Sequence, residues 1–235
     1  MRLVKKLSKI LLAFLSMTYA VCAIAQTIEA PAFVVGDAWE YKFTTKKNFM
    51  IGTVPPEPYT YTHKVYQVEP DYTLLEVNTT EEGKRLPKFG AVKTVASGDT
   101  IESYEFDETK ANRRGKRFEW AAVRQNYHHV QFPLTVGKNY EIVRSYTEST
   151  EKQEAIVKPL AKIKTLAGEF DAHEIEINGY WTMKSGGASG RMVSSYWYAP
   201  AVKAVVLYQL KSHNPQGGLM IDRGYELTKW TPAKP

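Results

Sequence analysis

Phe132-Pro-Leu-Thr-Val-Gly-Lys-Asn-Tyr-Glu-Ile-Val-Arg-Ser-Tyr146 is an apolar lead-in, a Val-Gly turn and then a run with alternating polarity. Tyr140 and Ile142 fall on one face of that run and Glu141 on the other, the period of a half-buried strand. The phrase has an earlier counterpart in Phe33-Val-Val-Gly-Asp-Ala-Trp-Glu-Tyr-Lys-Phe43. Gly36 and Gly137 are 101 positions apart, and each is followed three residues later by an aromatic (Trp39, Tyr140) and then by a glutamate. A second echo, Leu75-Glu-Val-Asn78 against Ile175-Glu-Ile-Asn178, has an offset of 100. Two halves of similar plan, about 33–131 and 132–235, are expected to share one β architecture.

Outward from these stretches the same alternation recurs. Trp39, Tyr41 and Phe43 oppose Glu40 and Lys42, and His173, Ile175, Ile177 and Trp181 oppose Glu174 and Glu176. Turn signals punctuate the runs at Val54-Pro-Pro-Glu-Pro58, Glu69-Pro-Asp71, Ala167-Gly168, Ser185-Gly-Gly-Ala-Ser-Gly190 and Asn214-Pro-Gln-Gly-Gly218. Ten or eleven strands result, near 38–46, 59–68, 72–79, 89–95, 100–106, 139–147, 154–165, 170–183, 191–198, 203–211 and 219–230. The predicted fold is mainly β: a large antiparallel curved sheet, half-barrel or sandwich of about ten strands with at most one or two short helices. The stretch 108–128, with Phe118, Trp120 and Val123, fits a short helix or an irregular loop equally well. With no flexible tract between the halves, 26–235 reads as a single β-rich domain; tandem domains are the alternative.

Residues 1–25 read as an export signal: Arg2, Lys5, Lys6 and Lys9, then the apolar Ile10-Leu-Leu-Ala-Phe-Leu15, then Ala23-Ile24-Ala25 before Gln26. The apolar run is too short and interrupted for a membrane span of roughly 20 residues. Cys22 would suit lipidation only with a small residue before it, and Val21 stands there, so cleavage before Gln26 is expected. The chain's 31 basic side chains then fall to 27, against 25 acidic ones. A chain so nearly balanced gives no reason to expect nucleic-acid binding. The remaining chain has no cysteine, so it enters a periplasmic or extracellular compartment without disulfides. Its core alone must hold it.

Chemistry finds little purchase. His128 and His129 are adjacent, so in a strand they face opposite ways and cannot share a metal. His173 reads as a hydrogen-bonded core residue, and no zinc-type histidine spacing occurs. Ser185, Ser189, Ser194 and Ser195 have no histidine nearby in sequence and no G-x-S-x-G elbow. Catalytic residues, metals and cofactors are therefore not expected. Aromatic content is the informative feature, with 15 Tyr, 9 Phe and 5 Trp in the whole chain. Tyr196-Trp-Tyr198 is the densest cluster. Such rings suit core packing, and they equally suit a concave groove for an apolar ligand. Trp39, Tyr41, Tyr140, Trp181, Tyr196, Trp197 and Tyr198 are the candidate lining residues.

Phe132-Pro-Leu-Thr-Val-Gly-Lys138, Ala167-Gly-Glu-Phe170 and Tyr196-Trp-Tyr-Ala-Pro-Ala-Val-Lys203, with Val35-Gly-Asp-Ala-Trp39 before them, resemble a group of bacterial exported proteins of unknown function. More distantly the chain looks like the lipoprotein-carrier (LolA/LolB-like) superfamily, whose curved antiparallel sheet wraps a hydrophobic cavity; no pair of amphipathic lid helices is seen here. The resemblance implies turn positions with φ > 0 at Gly137 and Gly168, a strand exit at Pro200, and no catalytic residue. The leading reading is an exported, non-catalytic envelope protein that binds a lipid or other hydrophobic ligand. An envelope protein–protein interaction module is the alternative, and a hydrolase the third.

Overall fold

The computed structural model describes residues 27–48, 58–68, 73–79, 88–94, 101–106 and 129–234. The expected signal segment and the undecided 108–128 stretch lie outside them. Eleven strands are present among the described residues: β1 (Ala38–Asn48), β2 (Tyr59–Val68), β3 (Thr73–Thr79), β4 (Lys88–Thr94), β5 (Ile101–Phe106), β6 (Asn139–Ser145), β7 (Ser149–Thr165), β8 (Gly168–Met183), β9 (Ser189–Ala199), β10 (Ala204–His213) and β11 (Leu219–Thr231). A 3-10 turn at Pro200–Val202 is the one helical piece among the described residues. All neighbours pair antiparallel in one sheet of order β5-β4-β3-β2-β1-β11-β10-β9-β8-β7-β6. The sheet is curved and ends at β5 and β6 without closing into a barrel. Two simple meanders, β1–β5 and β6–β11, are thus joined through their first and last strands.

The strands follow the expected ranges closely, with one clear extension. β7 begins at Ser149, where the polar Ser149-Thr-Glu-Lys-Gln153 suggests a loop. Pairing on both sides overrides that composition: Thr150 meets Ser145 of β6 and Thr182 of β8.

Both meanders begin with the same hydrogen-bonded device. Asp37 N–H donates to Val34 O at 2.9 Å, Gly36 N–H to Val65 O at 2.9 Å, and Val65 N–H to Asp37 O at 2.8 Å. In the second meander Lys138 N–H donates to Thr135 O at 2.9 Å, Gly137 N–H to Val157 O at 2.8 Å, and Val157 N–H to Lys138 O at 3.0 Å. Gly36 (φ 99°) and Gly137 (φ 83°) occupy conformations that L side chains resist. Each turn therefore stitches the start of one strand to a valine of the next.

Register shifts in the pairs β1–β11, β2–β3, β7–β8, β9–β10 and β10–β11 mark bulges, which bend and twist a sheet. The β7–β8 shift falls between Val157 and Leu160, where Pro159 has no N–H to give the ladder. There the buried His173 meets Lys158 O through Nδ1 at 2.9 Å. Beyond the bulge the hairpin tip reaches β11: Ala167 N–H donates to Leu227 O at 3.0 Å and Leu166 N–H to Glu226 Oε2 at 3.2 Å.

The core is built in two clusters. One gathers Trp39, Tyr41, Val65, Leu75, Ala172, Ala199, Val202, Val206 and Leu227. The other gathers Ile142, Ala155, Val157, Ile175, Ile177, Tyr196 and Tyr198 under Phe132 and Leu134, which have no exposed surface. Full burial of side chains of that size contributes roughly 1.5–3 kcal/mol each. A bridge between Ile28 and Leu134 pins the lead-in in place.

Candidate functional site

One face of the sheet carries a ladder of rings that crosses five strands. Tyr61 (β2) stacks on Tyr41 (β1) at 5.0 Å between centroids, and Tyr41 meets Tyr225 (β11) edge-on at 5.2 Å. Tyr225 contacts Tyr208 (β10) at 5.1 Å, and Tyr208 contacts Tyr196 (β9) at 4.5 Å. His129 ends the row, stacked on Tyr196 at 4.6 Å. Cross-strand registry produces this: Tyr41 faces Tyr61, and Tyr208 faces both Tyr225 and Tyr196.

Beside the ladder lies an aromatic groove of about 240 Å3. Its walls include Phe33, Trp39, Tyr41, Tyr61, His63, Leu75, Tyr225, Tyr196 and Tyr198, with Phe132 and Val130 at one end and Lys203, Ala204 and Val205 at another. Phe132 meets Tyr198 edge-on at 5.0 Å, and Phe33 meets Trp39 likewise at 5.8 Å. The groove falls slightly below the roughly 300 Å3 that opens the range of small-molecule pockets.

The groove is electrically quiet. Burial lowers the His63 pKa to about 4, so its ring is neutral at physiological pH. Burial also pushes the phenols of Tyr41, Tyr61, Tyr196 and Tyr225 up, which keeps their hydroxyl protons in place. Among the described lining residues Lys203 is the one of Lys, Arg, Asp or Glu type, and its Nζ donates to Asp37 Oδ2 at 2.9 Å. Asp37 Oδ2 also accepts from Val34 N–H at 3.0 Å, and Oδ1 from Ala233 N–H at 3.0 Å. Burial works against the Asp37 carboxylate, but the Ala233, Lys203 and Val34 donors and the lysine charge outweigh it and hold its pKa low. Trp39 locks the same corner by donating Nε1–H to Val202 O at 2.7 Å. The sequence motifs around Asp37, Trp39 and Lys203 thus meet as a staple at one end of the groove.

The sequence-derived candidates divide. Trp39, Tyr41, Tyr196 and Tyr198 line the groove together. Tyr140 stands apart and donates its hydroxyl to His129 O at 2.6 Å. Trp181 packs at the far end of β8, where its Nε1–H donates to His213 O at 2.9 Å. Trp197 alternates away from Tyr196 and Tyr198 and packs against the first cluster with Phe170 and Ile163. Tyr61, His63, Tyr225, Phe33, Phe132 and His129 are lining or ladder residues that sequence reasoning did not nominate. The alternation Tyr59, Tyr61, His63, Val65 was the available signal for two of them.

Among the described residues no three of His, Cys, Asp and Glu converge as a metal site, and no helix is long and apolar enough to cross a membrane. No protein-family model and no curated protein matches the chain. Among solved structures it is similar to a candidate lipoprotein from Parabacteroides distasonis, with 12% identity, TM-score 0.47, and 88% of this chain and 100% of that one covered. It is also similar to a candidate exported protein with a YmcC-like fold from Bacteroides fragilis, with 10% identity, TM-score 0.45, and 88% and 100% covered. A much weaker likeness, with TM-score 0.17 and 9% identity over 87% of this chain and 83% of that one, is to the acyl-CoA thioesterase II TesB2 from Mycobacterium marinum. At these scores no activity or ligand passes from them to this chain.

Proposed function

We propose that this chain is exported, loses its first 25 residues, and works in the cell envelope by holding an uncharged apolar or amphipathic ligand in the aromatic groove, without catalysing a reaction on it. The observation that carries the reading is the groove itself: rings on several sides, His129 stacked on Tyr196, a neutral His63, and a single lysine already committed to a carboxylate. A lysine already paired with Asp37 leaves little to compensate a buried anion, whereas ring faces and protonated hydroxyls suit an apolar body with a neutral polar end. The same proposal treats 33–131 and 132–235 as variants of one plan, and both supply walls of the groove: Trp39, Tyr41 and Tyr61 from the first, Tyr196, Tyr198 and Tyr225 from the second.

Organic extraction and native mass spectrometry of the mature protein, with titration by the uncharged fluor N-phenyl-1-naphthylamine, test this. A co-purifying neutral species and saturable one-to-one binding are expected, with Tyr41→Ala binding about tenfold more weakly. Absence of both, with a folded protein, would overturn the reading. One observation favours the alternative of an interaction module: edge strand β6 exposes Val143 to 58%, and among the described residues no strand covers its far side. Such an edge can accept a partner's strand. Protection of β6 amides by an envelope extract, with no small ligand found, would favour it.

A further inference from the structure

On the sheet face opposite the tyrosine ladder, a separate open cleft of about 490 Å3 runs across β1, β11 and β10 beneath the β7–β8 hairpin. Four exposed lysines on three elements line it, Lys42 and Lys46 of β1, Lys211 of β10 and Lys164 near the hairpin tip, together with the half-buried Arg223 of β11. None of the four has an ion pair within 4 Å among the described residues. Two carboxylates share the cleft. Glu226 accepts from Leu166 N–H and stands opposite Lys42 in the β1–β11 register, and Asp222 stands opposite Lys211 in the β10–β11 register.

The floor is bare at its centre. Gly224 lies between Thr44 and Gln209 in the cross-strand row, and a Cβ there would come within 2.2 Å of Tyr208 O. Close passage of the β10 backbone therefore excludes any side chain from that position, and the row is left with a notch. Thr44 and Gln209 flank the notch with neutral hydrogen-bonding groups, and the lysines surround it. With four lysines against two carboxylates the cleft keeps a surplus of positive charge, which an anion placed at the notch would balance.

We infer that this cleft is a binding site for a phosphate-bearing group, presented by a lipid headgroup or by a soluble phosphorylated molecule. Lysine ammonium groups serve phosphate as mobile point charges, and the backbone floor admits a tetrahedral group that a side chain would displace. The site is independent of the aromatic groove, which lies on the opposite face.

The test uses the mature protein and two probes: pyrophosphate in solution, and vesicles of phosphatidylcholine with or without 30% phosphatidylglycerol. Wild type is expected to bind at least one of them at low salt, more weakly as ionic strength rises. Lys42→Gln/Lys46→Gln/Lys211→Gln should weaken binding on the order of a hundredfold. A control with the equally exposed Lys152→Gln/Lys162→Gln should leave it within about twofold. Binding of pyrophosphate assigns a soluble phosphate, and binding confined to phosphatidylglycerol vesicles assigns a lipid. Failure of both probes, or equal loss in the cleft and control variants, overturns the inference. All the substituted lysines are exposed, so unchanged thermal unfolding is expected throughout.

Discussion

The turns that open the two meanders share a backbone and differ in what secures them. At Val34–Asp37 the fourth residue is a carboxylate whose side chain is 3% exposed; it reaches Lys203 and Ala233, 166 and 196 positions away. At Thr135–Lys138 the fourth residue is a lysine, and Nζ donates to Gln131 O and Pro133 O at 3.0 Å, only 7 and 5 positions back. One device ties the chain's beginning, its β9–β10 turn and its end together. The other merely holds its own lead-in over the core. The contrast continues into the strands. Trp39–His63 and Tyr41–Tyr61 are cross-strand pairs near the start of one meander, and Tyr140–Ala155 and Ile142–Gln153 are their counterparts in the other. At the start of the first meander these pairs place rings that line the groove, whereas at the start of the second they place smaller residues, with Ile142 and Ala155 packed in the cluster of Phe132 and Leu134. One turn geometry can thus lead into a pair of strands faced with rings or into a pair packed with smaller side chains.

The largest expected effect separates the two turns. Asp37→Ala leaves the Lys203 ammonium and two backbone donors without their acceptor, and should cost about 3–5 kcal/mol in urea unfolding. Lys138→Met should cost about 1–2 kcal/mol. Equal losses would erase the distinction between a global and a local staple. The same carboxylate should make the protein acid-sensitive. Because its folded pKa is depressed, its contribution is fully present above the unfolded value near 3.9 and is lost as pH falls through the folded value. Asp37→Asn should flatten that part of the stability–pH curve, and Lys138→Met should leave it unchanged.

A smaller effect tests what the turns share. Gly36→Ala and Gly137→Ala each force an L side chain to positive φ, and each should cost about 1–2 kcal/mol. A difference of more than about 1 kcal/mol between them would mean the turns are not the same device.

The smallest concerns the groove. The His63 pKa falls from 6.5 to about 4 on folding, so the unfolded chain takes up a proton first as pH drops between those values. Stability should therefore decline by on the order of 1 kcal/mol from pH 7 to pH 5. His63→Ala, which gives the first half the residue of the second, should remove that slope. A slope that persists would place its origin elsewhere.

Much of the architecture was legible because it rests on local rules. Alternation of period two located every strand to within a few residues except the start of β7, where pairing partners on both sides recruited a polar run. Gly137 and Gly168 do sit at positive φ, and Pro200 does follow the end of β9. The groove was only half legible. Parity along β9 puts Tyr196 and Tyr198 on one face and Trp197 on the other, yet parity says nothing about which rows of neighbouring strands will align with them. Tyr61 and Tyr225 became neighbours of Tyr41 through β1–β2 and β1–β11 pairing, the latter between the two ends of the chain.

By itself, then, the sequence determined the strands, their turns and the face each side chain takes, because these depend on residues a few positions apart. Only the tertiary structure decided that β1 and β11 lie side by side, that rings from five strands form one ladder, and that Asp37 finds Lys203. Those contacts span most of the chain, and the bulged, bent registers that bring them together arise only when the whole sheet assembles.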